Sequence, residues 1–135
     1  MSLGFKEKKL IDEYIELLAL SDVSRFYPTA VSKHVSITPF EAFNYLLERS
    51  GPGKEVFLKW ELQCPNLDCT KIIDIADEQR SGEEIECPRC NFEFELHTTD
   101  FIPVFVINKE YKAYLKEEQE YRNEKKKLKK APIHI

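Results

Sequence analysis

The chain has 135 residues, 42% of them hydrophobic, and a formal net charge of −4. That length supports one compact domain or two small ones sharing contacts, and no apolar run is long enough for a membrane-spanning helix. Charge is uneven along the chain. Residues 1–60 balance, residues 61–100 hold eleven acidic against three basic side chains, and residues 101–135 hold nine basic against five acidic. Surfaces that bind phosphate backbones are usually basic, so the middle segment suits a basic protein surface or open solvent better than nucleic acid.

In chain order, residues 5–20 read as an amphipathic helix. Leu10, Tyr14, Leu17 and Leu18 form its apolar stripe, widened by Ile11 and Ile15. Residues 28–35 read as a short second helix with Pro28 in its first turn. After a tight Ser36-Ile37-Thr38 connection, Thr38, Pro39 and Glu41 predict a capping box that opens a third helix running to about Arg49. Phe40, Phe43, Leu46 and Leu47 are its expected apolar positions, with Ala42 and Tyr45 nearby. Gly51-Pro52-Gly53 is a turn. Beyond it, Val56, Leu58, Trp60 and Leu62 alternate with Glu55, Phe57, Lys59, Glu61 and Gln63, which predicts a strand with the first set buried.

That strand runs into Cys64. The four cysteines come in two pairs, Cys64/Cys69 and Cys87/Cys90. Cys87-Pro88-Arg89-Cys90 is a tight knuckle that aims two sulfurs at one point, and Asn91 after it tolerates a left-handed backbone. The first pair is wider, with four intervening residues. Four thiolates at such spacings suit one tetrahedral Zn²⁺ in a closed, structural site. The alternatives are two disulfides or four unrelated thiols. Nothing before the cysteines reads as a secretory signal, so a reducing, cytoplasmic setting is expected, where clustered thiols favour metal. Lys71–Ile75, Ile85–Glu86 and Asn91–Leu96 read as short strands between and beyond the knuckles, which together make an antiparallel ribbon. Phe101–Ile107 is a further strand, and Pro103 argues for an edge position or a strand start. Asn108 caps a last helix from Lys109 to about Lys129, along which Tyr114, Tyr121 and Leu128 recur every seven residues before a lysine-rich end.

Three helices with a tight second turn, carried by Val31–Tyr45, and the strand Val56–Leu62 resemble a winged helix-turn-helix. Followed by a cysteine ribbon, this architecture resembles the alpha subunit of general transcription factor E and its archaeal counterpart. The resemblance implies an α+β fold: a winged-helix domain over residues 1–62, a small antiparallel zinc ribbon over 63–100, and a strand plus basic helix over 101–135. A standard wing has two strands after the third helix, and only one precedes Cys64. Phe101–Ile107 is the candidate for the other.

In a helix-turn-helix, the second helix of the motif reads the major groove. Residues 38–49 offer Asn44 for adenine and Arg49 for guanine, with Lys54 and Lys59 as nearby phosphate contacts. Glu41 and Glu48 oppose this, and positive charge is sparse. No nucleophile–base pair, phosphate-cradling glycine loop or open metal position is evident, so the chain is not expected to be an enzyme. His97 is a weak alternative ligand, and His34 and His134 carry no site. The expected role is a zinc-binding adaptor or regulatory subunit docking onto a larger protein assembly, with nucleic acid as a second candidate partner. The acidic ribbon and the C-terminal helix are its expected docking faces, and the helix is also a candidate for self-association. The alternative is a DNA-binding transcription regulator using residues 38–49. A third reading is a small enzyme accessory, with the chemistry held by its partner.

Overall fold

The computed structural model describes residues 3–130, and side chains as far as residue 127. Side chains from Leu128 onward, and His134, fall outside the described residues. The chain runs α1 (Phe5–Leu20), β1 (Arg25–Phe26), α2 (Pro28–Val35), α3 (Pro39–Glu48), β2 (Val56–Gln63), β3 (Ile72–Ala76), β4 (Glu84–Glu86), β5 (Glu93–Glu95), β6 (Phe101–Ile107) and α4 (Lys109–Lys130). One antiparallel sheet has the order β1-β6-β2-β3, and β4 and β5 form a separate hairpin.

The helix boundaries follow from local chemistry. Pro28 and Pro39 occupy first-turn positions, where a missing N–H costs no hydrogen bond. The Glu41 amide donates to Thr38 Oγ1 at 3.1 Å and the Thr38 amide donates to Glu41 Oε1 at 3.1 Å, which completes the capping box. Ser36 ends α2 in a left-handed conformation, φ 63°. Asn108 starts α4 by accepting from the Glu110 amide at 2.9 Å.

The main core lies between the helices and one face of the sheet. Ile11, Ile15 and Ala19 of α1 meet Val31 of α2, Ala42 and Leu46 of α3, and Val56, Phe105 and Ile107 of the sheet. Phe105 is fully buried, with the rings of Phe43 and Phe26 at centroid distances of 5.9 and 6.2 Å. A smaller core of Leu62, Leu96 and Phe101, flanked by Trp60, Ile73, Ile85 and Phe94, joins the far end of the sheet to the cysteine-bearing segment. Three expected core positions are corrected. Leu17, Phe40 and Leu47 are exposed, Phe40 at 74%. Each helix is apolar over a wider arc than its packing partners cover, and Ala19, Ala42 and Tyr45 take the inner positions.

β6 pairs with β2 along its whole length, from Leu62↔Phe101 to Val56↔Ile107. This is the second strand that the segment before Cys64 lacks. It is interior only where β1 covers Phe105 and Val106; at Pro103 it has no strand neighbour on the β1 side, which is locally the edge position expected from that proline. The reason lies in backbone parity. The Ile107 amide donates to Ser24 at 2.9 Å and the Asn108 amide to Glu55 at 2.9 Å, so the odd residues of β6 face β1 and the even ones face β2. Pro103 therefore lacks its N–H on the β1 side. β1 reaches only Phe105 and Val106, and the next mutually bonded pair in that register would be Pro28 with Pro103. Neither can donate, so the ladder stops and α2 begins.

Glu61 is also corrected: it lies on the β2 face expected to meet solvent, yet it is fully buried. Its carboxylate accepts from the Tyr27 hydroxyl. Arg25 Nε stands 3.2 Å from Oε2, an ion pair outside hydrogen-bond alignment. The carboxylate also raises the Tyr27 pKa, by accepting its proton in a hydrogen bond and by repelling the phenolate. Removing that donor strands a buried charge. Tyr27→Phe should lower stability by about 1–3 kcal/mol in urea unfolding, whereas Phe40→Ala should change it by less than about 0.5 kcal/mol.

Candidate metal centre

Cys64 follows directly on β2, Cys69 precedes β3, and Cys87 and Cys90 lie between β4 and β5. The sheet and the hairpin thus bring two sequence-distant turns face to face. All four sulfurs lie within 4.8 Å of one another. Cys64 Sγ and Cys90 Sγ are 3.7 Å apart, and Cys69 Sγ and Cys87 Sγ are 3.9 Å apart. A disulfide requires about 2.05 Å, and all four cysteines are free thiols. Metal–sulfur bonds of about 2.3 Å in a tetrahedron put neighbouring sulfurs about 3.8 Å apart. The four cysteines therefore match the spacing of a single tetrahedral ion, with every position filled by sulfur. This arrangement fits a zinc ribbon.

The two turns share one backbone pattern despite their different lengths. In the second, the Cys87 amide donates to the Phe92 carbonyl at 2.9 Å, the Asn91 amide returns to the Cys87 carbonyl at 2.8 Å, and Asn91 is left-handed at φ 63°. In the first, the Cys64 amide donates to the Lys71 carbonyl at 2.8 Å, and Thr70 is left-handed at φ 53°. The returning bond, however, runs from the Thr70 amide to the Asn66 carbonyl at 3.0 Å. Asn66-Leu67-Asp68-Cys69 thus occupies the place of Cys87-Pro88-Arg89-Cys90, and Cys64 supplies its sulfur from two residues upstream. Asn66 Oδ1 accepts from the Asp68 amide at 3.1 Å, and its Nδ2 points at Cys90 Sγ from 3.7 Å. The Asn-x-x-Cys spacing followed by Thr70 was the available sequence signal for this turn.

Electrostatics within the cluster are uneven. Burial pushes the Cys87 thiol up, but the amides of Cys90 and Arg89 aim at its sulfur and, with the neighbouring thiols, hold it down at about 7. Burial dominates at Cys64 and pushes it up to about 12. Ion binding requires thiolates, and a cation overrides these differences. His97 stands outside the sulfur cluster. His34 stacks on Tyr14, ring centroids 4.1 Å apart.

Three of the four candidate nucleic-acid residues hold contacts within the protein. Asn44 is exposed on α3. Arg49 is turned back onto its own body: its guanidinium bonds Tyr45 Oη at 2.7 Å and Asp12 Oδ2 at 3.1 Å. The Lys54 ammonium donates to the Glu48 carbonyl at 3.2 Å, and Lys59 pairs with Asp77. A groove that sequence reasoning missed lies where the β1 ladder stops, lined by Tyr27, Pro28, Phe40, Phe43, Ile102 and Pro103. Only the tertiary register brings these residues together.

Elemental analysis of the purified chain should find about one divalent ion per molecule. Cys87→Ser should abolish it and disorder the cysteine-bearing segment, and bound metal should fall as pH drops, because protons displace the ion from the thiolates. Thr70→Asn should raise stability by on the order of 1 kcal/mol, since Asn tolerates the left-handed backbone better than a β-branched residue. Comparison of the chain with protein-family models, curated proteins and solved structures finds no match.

Proposed function

We propose that this chain is a non-enzymatic, zinc-bearing winged-helix adaptor that docks onto a larger protein. In this reading β2 and β6 are the two strands of the wing, and residues 63–100 are a zinc ribbon inserted between them. The order β1-β6-β2 beside three helices supports the winged-helix assignment. The sulfur spacing and the four-sulfur ligand set support zinc, held as a structural ion with no open position for substrate.

The observation that carries the docking role is the pairing of an exposed apolar groove with basic side chains that are already occupied. The groove of Tyr27, Pro28, Phe40, Phe43, Ile102 and Pro103 leaves aromatic surface open beside α3. Aromatic anchors of this kind dominate protein interfaces and suit an apolar segment of a partner protein. Arg49, Lys54 and Lys59, by contrast, hold internal contacts that phosphate binding would have to break. The ribbon hairpin sets Glu84 opposite Glu95 and Glu86 opposite Glu93, all exposed. Like charges so placed repel, so this face favours a basic or neutral protein surface over a phosphate backbone. Among the described residues no helix is long and apolar enough to cross a membrane.

The DNA-binding alternative rests on Asn44, which is exposed on the helix that would enter the groove. The two readings separate in one set of experiments. The full chain used as bait in an extract of its source cells should retain a larger protein, and Phe40→Glu should release it without loss of bound zinc. Saturable DNA binding that weakens steeply with salt, and that is lost in the Arg49→Ala, Lys54→Ala double variant, would reverse the choice.

A further inference from the structure

α4 outruns the body that supports it. Leu115 is its only buried described side chain, with Tyr111 half-buried beside it. From residue 119 to residue 127 every side chain is exposed. These nine residues extend the helix by about 13 Å at 1.5 Å per residue. Helical segments this short and this polar are marginal without tertiary packing. The local pairs present are weak at exposed sites: Glu118 with Arg122 at 3.9 Å, and the Lys125 ammonium 4.8 Å from the Tyr121 ring centre. Along the same helix Tyr114 and Tyr121 are 58% and 56% exposed and lie seven residues apart, so they share a stripe. Tyr114 also borders a groove between α1 and α4, with Leu20, Leu115 and Arg122.

We propose that α4 pairs antiparallel with α4 of a second copy of this chain, tyrosine stripe against tyrosine stripe. The order of charges selects both occupant and direction. From residue 117 to residue 124 the helix holds Glu117, Glu118, Glu120 and Glu124 against Arg122 alone, Lys116 stands just before them, and Lys125, Lys126 and Lys127 follow. A parallel copy would lay lysines on lysines. An antiparallel copy crossing near Tyr121 lays Glu117 and Glu118 against Lys125 and Lys126 of the second copy, and two-fold symmetry repeats the match on the other side. A uniformly acidic or uniformly basic partner would satisfy one half of the helix and repel the other. The overlap is short and its charges are exposed, so the dimer is weak, concentration-dependent and salt-sensitive. It stands independently of the zinc and adaptor readings.

Sedimentation velocity of the full chain over a wide concentration range tests this. In low salt the wild type should shift from monomer to dimer as concentration rises, and high salt should reverse the shift. Tyr121→Lys, the block Lys125→Glu, Lys126→Glu, Lys127→Glu, and the pair Glu117→Lys, Glu118→Lys should each remain monomeric with unchanged melting of the body. An equimolar mixture of the two charge variants should dimerise. Zero-length carbodiimide coupling of isotope-mixed wild type should link Glu117 or Glu118 of one copy to Lys125 or Lys126 of the other. A monomer at all concentrations overturns the proposal, as does a dimer indifferent to Tyr121→Lys or to either charge change. Failure of the mixture to dimerise, or absence of those cross-links between copies, also overturns it.

Discussion

The antiparallel pairing of β2 with β6 is the constraint on which the rest depends. It joins residues 56–62 to residues 101–107 in unbroken register, so everything between them leaves and returns at one end of a sheet. Closing so long an excursion carries an entropic cost that grows slowly with length. The buried pair Val56↔Ile107 and the pair of partly buried Leu58 with buried Phe105 offset it by anchoring one face of both strands in the helical core. At the other end, Leu62↔Phe101 reaches the smaller core that holds the cysteine-bearing segment. An ion on the four sulfurs would divide the excursion again, tying both turns to one point. Such a staple suits a segment whose own apolar content is small.

Polar groups finish what the apolar pairs begin. Glu61 sits between two strand neighbours in a position that hydrophobic patterning leaves to solvent, and Arg25 of β1 and Tyr27 just after it make its burial tolerable. The same short segment ends where continuing its register would pair Pro28 with Pro103, neither of which can donate. One pair of prolines therefore stops a strand, starts a helix and leaves the aromatic groove open. The groove is a consequence of where hydrogen bonding runs out.

The surface divides along the same lines. Basic side chains near α3 are drawn inward by Asp12, Tyr45 and Asp77, while Phe40 and Tyr27 remain available. This distribution underlies the proposed preference for protein over nucleic acid, and the exposed glutamates of the hairpin add like charge that would repel phosphate. α4 carries both signs of charge in sequence, which sets it apart from the predominantly acidic ribbon segment and underlies the proposed pairing with a reversed copy of itself.

Local chemistry in the sequence determined much of this chain. Prolines at first-turn positions, the Thr38/Glu41 reciprocal cap and Asn108 placed the helix starts, because caps act within one turn of backbone. Alternation located β2, the apolar run located β6, and cysteine spacing marked the candidate ion ligands. The tertiary structure alone decided which of the available faces found partners. Leu17 and Phe40 belong to apolar arcs like those of Ile11 and Leu46, but periodicity defines an arc without saying how much of it a neighbour will cover. Glu61 obeys the alternation of an exposed residue and is buried by groups more than thirty positions away. Asn66 stands where the second knuckle has a cysteine, an equivalence set by backbone hydrogen bonds that residue spacing cannot express.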